Sequence, residues 1–243
     1  VTLMNALCLT GYVLLLSLSS CTTAFALDDN EEITDASTSN DYLVYSVTWQ
    51  PSFCVLKPAT PGCATPPAAF LTHGIWPYNK STAEKTNRHP QFCNTAPSCQ
   101  AGTTCEISAE HLTAITTDPQ IARLVTADPA GMFKHEWKKH GTCSGKLDTD
   151  YFQDIVKLRK VVKFKNNQRE QAFNTWVGGS VDFATLKEAF PSNTSFRCFV
   201  KDDKQYLHEV FYLITADGQP YENDPTLQIG ITCQQQPTFI PGA

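Results

Sequence analysis

The sequence predicts an α+β domain, with helices packed against a central antiparallel sheet and disulfides stapling the whole. Alternating apolar patterns open and close the main body, and helical periodicities fill its middle. Eight cysteines run through it behind a short apolar leader.

Residues 42–49 alternate Leu43, Tyr45, Val47 and Trp49 with Val44, Ser46 and Thr48, a strand pattern that Gln50-Pro51 ends. Residues 51–67 carry five prolines with Cys54 and Cys63 and read as a stapled loop. Residues 68–73 form a short apolar strand that stops at Gly74, with Trp76-Pro77-Tyr78-Asn79 as a turn. A polar, cysteine-bearing loop covers 79–105, and Ser108 caps a helix after it. Asp128-Pro129 introduces a second helix, 131–140. A third spans 148–164, with Phe152, Ile155, Val156, Leu158 and Val162 on its apolar side, and a fourth spans 181–190. Residues 195–200 and 206–215 alternate as strands.

Residues 1–26 contain no Lys, Arg, Asp or Glu. Their apolar run, 11–18, falls short of the roughly 20 residues a spanning helix needs. Ala24-Phe25-Ala26 suits a signal-peptidase cut after Ala26, although a positively charged start is missing. Leu18-Ser-Ser-Cys21 offers the alternative of a lipid on Cys21. Residues 27–41 are acidic, nearly free of large apolar groups, and read as a flexible tail. The whole chain has 24 acids and 19 bases, net −5, but six acids (Asp28, Asp29, Glu31, Glu32, Asp35, Asp41) lie in that segment. The remaining body, 42–243, is a single domain close to neutral. Its charge neither excludes a polyanionic substrate nor marks a basic clamp.

Ten cysteines include Cys8 and Cys21 in the leader. The other eight are Cys54, Cys63, Cys93, Cys99, Cys105, Cys143, Cys198 and Cys233. An even count behind a leader implies four disulfides in an oxidising compartment, and irregular spacing without a Cys-x-x-Cys argues against zinc. Short spacing suggests Cys54–Cys63, and the C-terminal strands suggest Cys198–Cys233. The other four leave their pairing open.

Two segments concentrate the chemistry, Thr72-His-Gly-Ile-Trp-Pro77 and Phe133-Lys-His-Glu-Trp-Lys-Lys-His-Gly-Thr-Cys143. On a helix at about 100° per residue, Lys139, Glu136 and His140 fall roughly 40°, 100° and 140° from His135, on one arc. Lys134 and Lys138 fall on the opposite side. The spacing His-Glu-x-x-x-His is one residue too long for a zinc-binding helix, and Lys139 would repel a cation. Two imidazoles, a carboxylate and a lysine suit metal-free phosphoryl transfer within RNA. One neutral imidazole takes the 2′-OH proton, one imidazolium protonates the departing 5′-oxygen, and the lysine neutralises the phosphorane.

These segments resemble the two active-site motifs of the ribonuclease T2 family, His-Gly-Leu-Trp-Pro and His-Glu-Trp-x-Lys-His-Gly-Thr-Cys. Weaker similarity covers most of 42–234, including Thr48-Trp-Gln-Pro-Ser-Phe-Cys54 and the start of the helix at Asp150-Tyr-Phe152. The layout is most similar to bacterial periplasmic members. The resemblance implies His140 as general base and His73 as general acid, with Glu136 and Lys139 stabilising the phosphorane. It implies that His135 binds phosphate and Trp76 stacks on a base. It further implies 2′,3′-cyclic phosphates and then 3′-phosphates as products, and no cofactor or metal. Single-stranded RNA rather than DNA would be the partner of a periplasmic or extracellular monomer, free of membrane unless Cys21 is lipidated. By the same analogy Cys143 pairs with a cysteine of the 79–105 loop, Cys93 first. Several relatives carry Asp after Trp-Pro, where it recognises the base. Tyr78 at that place substitutes stacking, which tolerates any base.

His89, His111 and His208 read as ordinary residues, and Lys157, Arg159, Lys160, Lys163, Lys165 and Arg169 as a solvated basic face. Two rival readings are a catalytically silent interaction protein on the same fold and a secreted zinc hydrolase. The intact His73, Glu136, Lys139 and His140 weigh against the first, and the histidine spacing against the second.

Overall fold

The structure, a computed structural model, describes residues 32–34, 40–84, 88–93, 96–97, 99, 105–222, 224, 227 and 229–243. The leader with Cys8 and Cys21, and most of the acidic segment, lie outside the described residues. In chain order, β1 (Glu32–Thr34) precedes β2 (Tyr42–Trp49), α1 (Gln50–Leu56) and β3 (Phe70–Tyr78). Then come β4 (Arg88–Pro90), α2 (Ala109–Thr117), α3 (Pro119–Ala122), α4 (Ala130–Lys139), α5 (Asp148–Lys157) and α6 (Asn167–Trp176). The chain closes with β5 (Ser180–Asp182), α7 (Phe183–Lys187), β6 (Thr194–Lys201), β7 (Lys204–Ile214) and β8 (Pro237–Phe239).

The α+β class is as expected. The four long strands lie in the order β3, β2, β7, β6, each pairing antiparallel. β8 adds a parallel pairing at Gln205 and Tyr206 of β7 and carries β5 on its other side. Three residues of the acidic segment, expected as flexible tail, instead form β1 against β4.

The sheet is buried on both faces, which explains where the elements depart from expectation. Tyr45, Val47, Trp49, Phe70, Val210 and Tyr212 face one core with the helices. Tyr42, Val44, Trp76, Tyr78, Phe211 and Leu213 face a second, under Leu227 and Ile229. A strand covered on both sides has no clean alternation to read. Thus β3 does not stop at Gly74 but continues to Tyr78, paired with β2 as far as Tyr42. Pro77 is tolerated because β3 lies at the end of the strand order, where a missing N–H costs no ladder bond. Pro51 sits in the first turn of α1, a helix-compatible position, so the proline-rich stretch opens as a helix rather than a loop. The third helix ends at Lys157 and passes into a 3₁₀ turn, Arg159–Val161. The fourth reduces to α7, and α6 forms in a stretch where the sequence carries no clear apolar face.

All eight body cysteines pair, as Cys54–Cys63, Cys93–Cys143, Cys99–Cys105 and Cys198–Cys233. The second ties the segment after β4 to the end of α4. Among the described residues no helix is long and apolar enough to cross a membrane.

Candidate active site

Two β-bulges shape the site. Ser46 pairs with Gly74 and Val47 with Thr72, so His73 is the extra residue on β3. Arg197 pairs with Glu209 and Cys198 with Leu207, so His208 is the extra residue on β7. A bulge re-aims the side chains around it. Here His73, half-buried, comes to rest against Glu209 two strands away.

The His73 Nδ1 lies 2.7 Å from Glu209 Oε1, and its Nε2 lies 3.3 Å from Glu136 Oε1. Burial opposes charge on His73, but Glu136 and Glu209 outweigh it and raise its pKa to about 9. Burial works against the Glu209 carboxylate too. Arg197, whose Nη1 donates to Oε2 at 2.7 Å, and His73 nevertheless hold it far below the usual carboxylate range. The Thr48 hydroxyl also donates to Glu209 Oε1, at 3.0 Å. Gly230, at φ +66°, leaves room for this guanidinium, since a Cβ there would fall 2.2 Å from Arg197 Nε.

Glu136 projects from α4 over Gly74. Its Oε2 accepts the Trp76 indole N–H at 2.7 Å and lies 4.0 Å from His140 Nε2. Burial raises the Glu136 pKa, partly offset by His73 and the Trp76 hydrogen bond. His140, just past the last residue of α4, is 2% exposed. Burial first, then His89, Lys139, His135 and His73, push its pKa well below the ordinary value. Its Nδ1 lies 2.8 Å from His89 Nε2. One face therefore holds a histidine kept charged and a histidine kept neutral, either side of a single carboxylate.

His73, Glu136, Lys139 and His140 all reach this cluster. His135 stands at its edge, with its ring centroid 6.3 Å from that of His140. Trp76 and Tyr78 do not face solvent where a base could stack; they are 3% and 0% exposed. Because β3 runs on, Gly74, Trp76 and Tyr78 share one side of it. Trp76 packs on His140 and Tyr78 on His89, at 4.9 and 4.4 Å between centroids. The helical wheel separates His135 from His140, yet one donor atom from each and one from Glu136 lie within 4.8 Å of one another. The backbone of His140, at φ −116°, has left the helical path. Within this group Glu136 Oε2 accepts from Trp76 and His140 Nδ1 lies against His89, and buried Lys139 adds a cation. That composition suits proton transfer better than metal binding.

Three side chains of the site escape sequence reasoning, namely Glu209, Arg197 and His89. Arg197 and Glu209 are far from the motifs in sequence and His89 lies in the polar loop between them, although a His-Glu pair inside the apolar run 206–214 is a usable signal. His89 is not an ordinary surface residue but fully buried. His111 instead pairs with Asp148 at 2.9 Å, and burial lowers the His208 pKa to about 4. Arg159 leaves the basic face as well. It donates to the Phe70 carbonyl and to Thr72 Oγ1, bracing β3 beside His73.

Comparison with known proteins gives this α+β sheet and its histidine–carboxylate cluster a family. The Ribonuclease T2 family model matches residues 40–233. The chain belongs to the ribonuclease T2 family and is an endoribonuclease of that type. A ribonuclease of Aeromonas hydrophila is 28% identical over 122 residues, 49% of this chain and 45% of that protein, so the match spans under half of it. Ribonuclease 1 of Arabidopsis thaliana is 21% identical over 187 residues, 73% of this chain and 77% of that protein. The self-incompatibility-associated SF11 ribonuclease of Nicotiana alata has the same fold, at TM-score 0.57 and 20% identity, covering 84% of this chain and 100% of that one.

Proposed function

We propose that the protein cleaves single-stranded RNA by metal-independent acid–base transphosphorylation between His140 and His73. The observation that carries this is the opposite setting of the two histidines around Glu136. His140 Nε2 takes the proton of the ribose 2′-OH as that oxygen attacks phosphorus. The P–O5′ bond breaks, and the proton on His73 Nε2 goes to the departing O5′. Glu136 and Lys139 stabilise the phosphorane, and His135 holds a phosphate at the rim. The product is a 2′,3′-cyclic phosphate, which water opens to a 3′-phosphate as the histidines exchange roles. His140 is covered in this structure, so the ribose must displace that cover to reach it. Base preference is loose, and the burial of Trp76 and Tyr78 gives them a supporting role under the histidines.

The same reading has a signal peptide cut after Ala26, an acidic segment to Asp41, and one catalytic domain that works as a periplasmic or extracellular monomer. The four disulfides support an oxidising compartment. The test is incubation with single-stranded RNA in excess EDTA at pH 5–7. Cyclic-phosphate ends are expected, with DNA and 2′-O-methyl RNA left intact and His73→Ala and His140→Ala inactive. Cleavage of DNA, or activity abolished by EDTA, overturns the reading.

A further inference from the structure

Each proposed catalytic histidine has one ring nitrogen toward Glu136 and the other against a different buried partner. Behind His73 is a carboxylate. Glu209 Oε1 lies 2.7 Å from Nδ1, and Glu209 is itself fixed by Arg197 and Thr48. Behind His140 is a second imidazole. His89 Nε2 lies 2.8 Å from Nδ1, with 8° between the ring planes, and His89 is held flat against Tyr78. Neither partner belongs to the two motif segments.

We infer that Glu209 and His89 are positioning residues that assign the roles of the two histidines, Glu209 making His73 the acid and His89 making His140 the base. This rests on the proposed reaction, and the chemistry of the two contacts carries it. A carboxylate accepts hydrogen bonds only, so His73 must carry a proton on Nδ1. The negative charges of Glu209 and Glu136 then favour a second proton on Nε2, the one delivered to O5′. An imidazole partner works differently. If His89 accepts through Nε2, the single proton of neutral His140 sits on Nδ1 and Nε2 is bare, which is the tautomer a base needs. When His140 takes the 2′-OH proton, Nδ1–H still has its acceptor. His89 brings no full negative charge, so His140 is not held protonated beforehand. A carboxylate in place of His89 would turn the base into a second acid.

The charged and titratable groups around the pair fit this division. His140 faces Glu136, Lys139 and His135 from α4 and its end, His73 from β3 and His89 from β4. His73 faces Glu136 from α4, His140 past its end, Glu209 and the uncharged His208 from β7, and Arg197 from β6. Cations outnumber carboxylates around His140, and carboxylates outnumber cations around His73.

Ring ¹⁵N shifts of the unliganded wild-type protein at pH 6.5 read the assignment without any substitution. The expected result is two protonated nitrogens on His73, with protonated Nδ1 and bare Nε2 on His140. A proton on His140 Nε2, or a neutral His73, overturns the inference whether or not RNA is cleaved. Kinetics then separate positioning from packing. Glu209→Gln keeps an acceptor but not the charge. It is expected to move the alkaline limb of the kcat/KM profile down by about one pH unit or more, with most activity retained at pH 5. His89→Gln keeps an acceptor at the same reach, whereas His89→Phe keeps only the ring on Tyr78. The Gln variant is expected within about fivefold of wild type and the Phe variant about 10²-fold lower in kcat, with little change in KM. An unmoved alkaline limb, or Gln and Phe variants that fall alike, overturns the inference while leaving the RNA-cleaving reading intact. An inactive wild type with the expected ¹⁵N pattern overturns that reading instead.

Discussion

Gly74 shows how closely one residue can be tied to the chemistry beside it. A Cβ there would lie 1.9 Å from Glu136 Oε2 and 2.5 Å from Trp76 Nε1. The glycine is what lets the carboxylate lie flat on β3 between the histidines. Gly74→Ala is expected to lower kcat/KM by about 10²-fold by displacing that carboxylate, with a near-native circular dichroism spectrum. Wild-type kcat/KM in this variant would mean the carboxylate has room to spare. Gly131 is the control on α4, because a Cβ there meets nothing within 4 Å. Gly131→Ala is expected to add roughly 0.4–1 kcal/mol in urea denaturation and leave kcat/KM unchanged. At this scale the site was legible where neighbours in sequence are neighbours in space. His135, Glu136, Lys139 and His140 lie within six residues at the end of α4 and its cap. Glu209 was not legible, because it meets His73 across 136 residues of chain and only strand register brings them together.

The elements repeat that contrast. β2 is legible as an aromatic and β-branched run that Gln50-Pro51 stops, and α4 as a helix from its own arc of polar groups. β3 was cut short at Gly74 because glycine and proline are ordinarily breakers, while here Glu136 fills the space over the first and an edge position excuses the second. The bulge at His73 has no sequence mark at all. It shows only in the pairing, where the register of β3 on β2 shifts by one residue between Ser46 and Val47. The helix α6 escaped for the opposite reason. Its cap is ordinary, with Asn166 accepting from the Arg169 N–H at 2.9 Å, but Phe173 is its single buried residue. That ring packs on Trp49, Phe70, Phe164 and Phe190. Trp176 adds a partly buried contact, but an element whose one fully buried side chain sits in an aromatic cluster should depend on it. Phe173→Ala is expected to cost about 3–5 kcal/mol in urea denaturation. A loss below about 1 kcal/mol would mean that α6 is held by its capping and flanking contacts instead.

For the whole molecule, the opposed histidines make stability depend on pH in two separate windows. His73 has a folded pKa near 9, above the roughly 6.5 of an unfolded histidine. Its folded state binds more protons in between, so its contribution is full below about pH 6.5 and is lost as pH rises toward about 9. His140 and His208 shift the other way. Their unfolded states bind more protons below about pH 6.5, so their contributions fall as pH falls from there. Glu209 adds to the acid side, since its depressed carboxyl stabilises above the unfolded value of about 4.3 and loses that as pH drops. Stability should therefore peak near neutrality and decline on both sides for different reasons. Urea midpoints across pH 4–9 test this with wild type and His73→Gln. The variant is expected to lose the decline between about pH 6.5 and about 9 while keeping most of the acid decline, because burial still lowers His140 and His208 and Arg197 still holds Glu209. If the alkaline decline survives in His73→Gln, the charge on His73 is not held by its two carboxylates. The electrostatic division between the histidines would then have to come from the substrate rather than from the fold.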